Sequence, residues 1–280
     1  MTTRNFRSGY YGTLGVSGID EKKKLEKLLL DEKIDLELLK RICLQFHTPS
    51  MHRPLVWKLL LDVLPVYRDI HETVTEQHSS RYLALKQVLV VTKRAHLLLP
   101  DLHQQIYQLE KGNLFLTSSK DDSISSIVRT LHDIFPDELD SYLIFSKFVL
   151  KCDVIRENLS QLENIMFKRL EVESPNLYAR LVEFSIISVL PTKRWLLQCF
   201  ADTLPLASLE RVWDKMLAGS ISVLSFIGAG IVMTCIRSAI DLSNHELLLK
   251  TLSRLGDDQA ERAVSKGLEL WIQCGRPLQV

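Results

Sequence analysis

The chain has 280 residues with 35 Lys and Arg against 34 Asp and Glu, a formal net charge of +1 that leaves no global field to draw it to nucleic acid or anionic lipid. Its 46% hydrophobic and 25% charged residues are those of a folded globular chain and exclude bulk disorder. Eleven glycines and nine prolines are few for this length, which disfavours many short strands joined by tight turns.

Residues 1–19 read as an N-terminal arm. Gly9, Gly12, Gly15 and Gly18 recur there every third residue, but neither G-K-[ST] nor a strand leading into G-x-G-x-x-G accompanies them, so they carry no phosphate cradle. Asp20 precedes a Lys-rich run in which Leu25, Leu28 and Leu29 share one face, and Lys22, Lys23 and Lys24 lie with Glu21 and Glu26 as a solvated face. Asp35 has the chemistry of a cap for a second helix, whose Leu36, Leu39, Ile42, Cys43 and Phe46 repeat at three and four. Cys43 and His47 fall on one side of it with His52 beyond. No second ligand pair joins them, so no metal site is assigned.

Arg53-Pro-Leu-Val-Trp57 opens a helix-packing segment. Further on, Leu102, Ile106 and Leu109 make an apolar stripe beside a polar break at Lys111–Ser123, which divides an N-terminal lobe of about 20–120 from a C-terminal lobe of about 121–275. Pro136, Pro175, Pro191 and Pro205 each open an apolar-periodic run, as a proline in a helix's first turn does. The carboxylate pairs Asp121/Asp122, Asp137/Glu138 and Asp257/Asp258 stand at predicted helix starts, where they complement the macrodipole. In the stretch from Trp195 to Gly219, Trp195 and Trp213 are packing anchors, and Arg211 and Asp214, three apart, are placed to pair. Met216–Ile236 gives 21 positions without a charge, long enough to cross a bilayer, but seven are Gly, Ser or Thr and a buried core helix is the expectation. Ser243 with Glu246 forms a capping box ahead of a last amphipathic pair.

No period-2 run of strand length and no internal repeat occurs, so the fold class is all-α, a two-lobed helical domain over residues 20–275. The five cysteines lie outside C-x-x-C spacing and mostly in apolar runs, which suits a reducing, cytoplasmic setting. Hydrolase elbows, cofactor motifs and a basic patch interleaved with aromatics are all missing, so no cofactor, no metal and no nucleic-acid partner is expected.

Arg53 and Trp57 as R-x-x-x-W, followed by Trp195, Phe200, Leu204-Pro205, Arg211-Val212-Trp213-Asp214 and Gly219 in order and spacing, resemble the TBC (Tre-2/Bub2/Cdc16) domain of Rab GTPase-activating proteins. That resemblance implies structural roles for Arg53, Trp57, Trp195, Arg211, Trp213, Asp214 and Gly219. It also implies a dual finger, an Arg from I-x-x-D-x-x-R and a Gln from Y-x-Q, because charge accumulates on the transferring phosphoryl group and the attacking water must be aligned. Neither motif occurs between Trp57 and Trp195: the nearest registers put Gln104 at the arginine position, three residues after Asp101, and Lys120–Asp122 at the glutamine position. The expectation is a non-catalytic member with Gln104 and Asp122 as degenerate finger positions. The alternative is an active Rab GTPase-activating protein using a non-standard arginine such as Arg94 or Arg129.

Within the family the resemblance runs to the non-catalytic branch that accompanies hamartin and tuberin. It implies as partners the hamartin coiled coil, tuberin through it, and in the alternative Rab-type GTPases. The implied role is support of a GTPase-activating complex for Rheb that restrains TOR growth signalling, with cytoplasmic localisation and recruitment to lysosomal or vesicle surfaces through partners and no direct membrane insertion. For partner-helix docking the expectation falls on Leu102, Ile106 and Leu109.

Overall fold

The computed structural model describes residues 19–92, 99–113, 122–236 and 244–277. The glycine-rich arm, Arg94, Asp121 and Ser243 lie outside them. Among the described residues every regular element is helical, and the sole β-type pairing is an isolated bridge between Lys33 and Tyr67.

Four helices lead in: α1 (Ile19–Leu30), α2 (Leu36–Gln45), α3 (Arg53–Leu60) and the long α4 (His71–Val91). Then come α5 (Asp101–Glu110), α6 (Asp122–Ile134), α7 (Glu138–Glu157), α8 (Leu159–Glu173) and α9 (Pro175–Glu183). The short α10 (Thr192–Leu197) precedes α11 (Leu206–Ala218), α12 (Val223–Cys235), α13 (His245–Ser253) and α14 (Asp257–Gln273).

Local chemistry sets most helix starts. The Asp35 carboxylate accepts from Leu38 N at 3.0 Å, Asp137 accepts from Asp140 N at 2.8 Å, and Pro175 sits in the first turn of α9. Other starts differ from the sequence expectation: Pro191 and Pro205 occupy the cap positions of α10 and α11, and Pro136 stands just before the cap Asp137 of α7. The first helix already includes Asp20, and α13 is capped by Asn244, whose Oδ1 accepts from Leu247 N at 3.0 Å, one residue past the anticipated Ser243. Asn and Ser are equivalent caps, so their neighbouring positions are not separable by residue type.

The buried apolar side chains form one cluster running from Leu25 to Trp271. Its centre is α12, hydrophobic all round and packed between α14 and α8. Small residues let α12 and α14 approach: a Cβ on Gly230 would stand 2.3 Å from Ala263 O, and one on Gly267 would stand 2.7 Å from Phe226 O. At 13 residues α12 is the core helix expected of the uncharged stretch, and no helix among the described residues is long and apolar enough to cross a membrane. The early and late parts of the chain meet on α11, which packs against α2, α3, α6, α12 and α14.

Candidate functional site

Two helices, α3 and α11, meet at Asp214. The α11 sequence LERVWDKM repeats its apolar positions at three and four, so Leu209, Val212, Trp213 and Met216 face the core and carry Asp214 to the α3 side. There Arg53 Nε donates to Asp214 Oδ1 at 3.3 Å, Arg53 Nη2 donates to Asp214 Oδ2 at 3.4 Å, and Trp57 Nε1 donates to Asp214 Oδ1 at 2.7 Å. The remaining guanidinium donors reach Thr48 O at 2.8 Å and Glu210 Oε2 at 2.9 Å. These four bonds, two of them to one carboxylate, are what make a guanidinium only 1% exposed tolerable. Burial raises the Glu210 carboxyl above its usual range, against the lowering pull of Arg53. Sequence reasoning missed Glu210; its position one turn before Asp214 on the same helix face was the available signal.

The anchor tryptophans are packed around this ion pair. Trp57 lies edge-on to Phe135 with centroids 5.2 Å apart and 6.1 Å from Trp213, whose indole Nε1 donates to Cys199 O at 2.9 Å. Trp195 lies 6.0 Å from Phe200 at a turn where Cys199 and Phe200 both hold positive φ. A Cβ on Gly219 would come within 2.9 Å of Leu44 Cδ2 and 3.3 Å of Trp271, so glycine lets the end of α11 lie against α2 and α14. One pairing differs from expectation: Arg211 binds Glu261 on α14, because Asp214 is turned inward to Arg53 and is fully used there.

Of the two positions expected to be degenerate fingers, Gln104 is bonded to the helix that Asp122 opens. Gln104, on the first turn of α5, donates through Nε2 to Ser125 Oγ at 3.0 Å, and Ser125 lies on the first turn of α6, which Asp122 opens. One residue on, Ser126 Oγ donates to Asp202 Oδ2 at 2.7 Å, and Asp202 also accepts from Gln198 at 3.0 Å and Arg194 at 3.4 Å. Arg129 is exposed on α6 and donates to Ser126 Oγ at 3.3 Å. Ser126, Arg129 and Asp202 line a cavity of about 540 Å³ that also reaches Arg254 and Asp257. The starts of α5 and α6 thus carry amide, hydroxyl and carboxylate groups, with Arg129 and Arg194 bonded into the adjoining cluster.

The Leu102, Ile106 and Leu109 stripe is corrected by the structure. Ile106 is fully buried and Leu102 and Leu109 pack partly against the same core, because α5 lies between α4 and α7. Helical periodicity marks an apolar face without saying whether the partner is internal. Cys43 is buried, its thiol pushed up to about 11 by desolvation, while His52 lies 3.3 Å from Glu26. Among the described residues no three His, Cys, Asp or Glu side chains are grouped to hold a metal.

The Rab-GTPase-TBC domain pattern matches residues 50–240, and the chain belongs to that family. It is 34% identical over 284 aligned positions to TBC1 domain family member 7 of Homo sapiens, covering 98% of this chain and 97% of that protein. The protein of that name from Xenopus tropicalis is 34% identical over 98% of this chain and 97% of its own length, and that from Danio rerio 30% identical over the same shares. Among solved structures the chain resembles the Ypt/Rab-GAP domain of Gyp1p with a TM-score of 0.65 and 16% identity, covering 92% of this chain and 99% of that one, a likeness of fold.

Proposed function

We propose that this TBC domain is a binding subunit without GTPase-activating chemistry of its own. The observation that supports the reading is the pairing of Gln104 with Ser125: in the register the family resemblance implies, an amide tied to a hydroxyl takes the place of the finger guanidinium, and a carboxylate, Asp122, opens the helix that bears Ser125. An acidic side chain there repels a phosphoryl group and an amide leaves its accumulating charge uncompensated.

The partner in this reading is the hamartin coiled coil, with tuberin joined through it, in a complex that activates GTP hydrolysis on Rheb and restrains TOR growth signalling. Near full-length similarity to proteins named TBC1 domain family member 7 supports it. So does an exposed apolar face on α4, where Leu83, Val90 and Val91 are 60%, 50% and 74% exposed while Tyr82 and Leu89 on the other side are buried. Leu83 and Val90 are seven apart, the repeat that one helix offers another in helix-to-helix docking. Recruitment to lysosomal surfaces follows from the partners.

The test pairs two measurements. Added to GTP-loaded Rabs, the purified chain is expected to leave hydrolysis near its intrinsic rate, while a soluble hamartin coiled-coil fragment co-elutes with it. Acceleration of roughly a hundredfold or more, abolished by Arg129→Ala or Arg94→Ala, establishes the alternative of an active Rab GTPase-activating protein.

A further inference from the structure

On the side of the molecule built from α2, α11 and α14, a cleft of about 420 Å³ lies between the end of α2 and the last turns of α14. Leu44, Phe46, Leu268, Trp271 and Ile272 give it apolar walls, and Lys215 of α11 lines it. Lys215 is 9% exposed, and its ammonium donates to two neutral acceptors, Cys43 O at 2.5 Å and Phe46 O at 2.6 Å. An ammonium has three donors, so among the described residues one is left without a partner.

Among the described residues no carboxylate comes within ion-pair distance of this buried charge, and Asp214 offsets it only through space. Its sequence neighbour Asp214 is saturated by Arg53 and Trp57, and the one carboxylate lining the cleft, Glu269, is bound by Lys266 at 3.3 Å and Gln273 at 3.1 Å. The other two basic groups in the wall are His47, 3.9 Å from Asp214, and Arg211, paired with Glu261. Holding the carbonyls at the end of α2 accounts for two of the ammonium's bonds and for its favourable place at the negative end of that helix. It does not supply the counter-charge that a buried cation ordinarily has. Burial accordingly pulls the Lys215 amine down to about 8.

We propose that this cleft binds a monocarboxylate with an apolar tail, of the medium-chain fatty-acid kind, its carboxylate neutralising the Lys215 ammonium and its tail lying along Phe46, Leu268 and Trp271. A volume in the usual range for small-ligand sites, apolar walls and one buried, unpaired charge together define that chemistry, and none of these features belongs to the finger positions or to the α4 face.

Decanoate is the probe, with decanol and decyltrimethylammonium as matched tails bearing other heads, titrated into the full chain by calorimetry and by the fluorescence of its tryptophans, Trp271 among them. The expected result is saturable one-to-one binding of decanoate at least tenfold tighter than of either control. Ile272→Asp, at a half-exposed wall position, is expected to weaken decanoate at least tenfold without unfolding the chain, and Lys215→Met is expected to erase the preference for decanoate over decanol. If Lys215→Met does not fold, Ile272→Asp and the head-group series decide. Equal binding of decanoate and decanol, no decanoate binding at 1 mM (a ceiling of roughly 4 kcal/mol), or unchanged affinity in Ile272→Asp each overturns the proposal.

Discussion

Arg53 and Asp214 stand 161 residues apart in sequence and are joined by two charge-assisted hydrogen bonds, with each side chain 1% exposed. Removing Arg53 leaves the Asp214 charge buried without its cation, and removing Asp214 leaves the buried guanidinium with Glu210 as its remaining carboxylate. Arg53→Ala and Asp214→Ala are each expected to cost about 3–5 kcal/mol, measured by urea unfolding. Replacing Arg211, whose partner Glu261 is largely exposed, is expected to cost under about 1 kcal/mol.

His103 sets a pH dependence. Its ring is fully buried, lies near Tyr142 at 5.5 Å and Phe145 at 6.2 Å, and among the described residues neither nitrogen has a hydrogen-bond partner. Burial holds it at about 4, with Lys86 and His132 lowering it further and Glu138 opposing. The unfolded chain takes up this proton near pH 6.5 and the folded chain only near 4, so the unfolded state binds more protons between those values and stability falls as pH drops through that window. The loss attributable to His103 is roughly 3 kcal/mol by pH 4. His103→Phe is expected to flatten the stability profile there, as measured by chemical unfolding across the window.

The crossing of α12 and α14 tolerates no side chain at its nearest point. Gly230→Ala puts a methyl 2.3 Å from Ala263 O and 2.8 Å from Gly267 N, both backbone atoms that cannot swing away. The helices must separate, at a cost of about 1–3 kcal/mol or more. Gly256→Ala is the control, because nothing lies within 4 Å of a Cβ there and its φ is negative. A thermal melt of both variants is expected to show a large shift for the first and little for the second.

The α4 face is tested by Leu83→Asp. At 60% exposure the side chain contributes little to the core, so stability is expected to stay within about 0.5 kcal/mol. Binding of the hamartin coiled-coil fragment is expected to weaken more than tenfold, since a charge at the centre of an apolar helix contact is desolvated without a partner. Ile106→Asp would instead unfold the domain, because that residue is inside it.

Much of this architecture was legible in the residues. Asp35, Asp137 and Pro175 announce helix starts through chemistry that acts within one turn, and local signals of that kind survive in any fold. The motif residues Arg53, Trp57 and Asp214 were readable as a set, but their contacts were not. Arg211 looked like Asp214's partner because it is three residues away, whereas the long-range demand of buried Arg53 outweighs a local surface pair. Leu102, Ile106 and Leu109 have the same spacing whether they face a partner or the core. In α4 apolar residues surround the helix, so its exposed side emerges only once Tyr82 and Leu89 are seen to be buried. His103 and Lys215 gave no signal, since what distinguishes them is the loss of water and of partners around a single side chain.

The link between α3 and α11 also constrains how the protein is made. Arg53 leaves the ribosome 161 residues ahead of Asp214, an interval of roughly 8–32 s at ~5–20 residues per second. Throughout that wait the nascent N-terminal helices carry a guanidinium and an indole N–H meant for an acceptor not yet synthesised. A fragment ending before α11 would therefore be a chaperone client rather than a folded unit, and premature termination anywhere upstream of Asp214 should yield a species cleared by proteolysis.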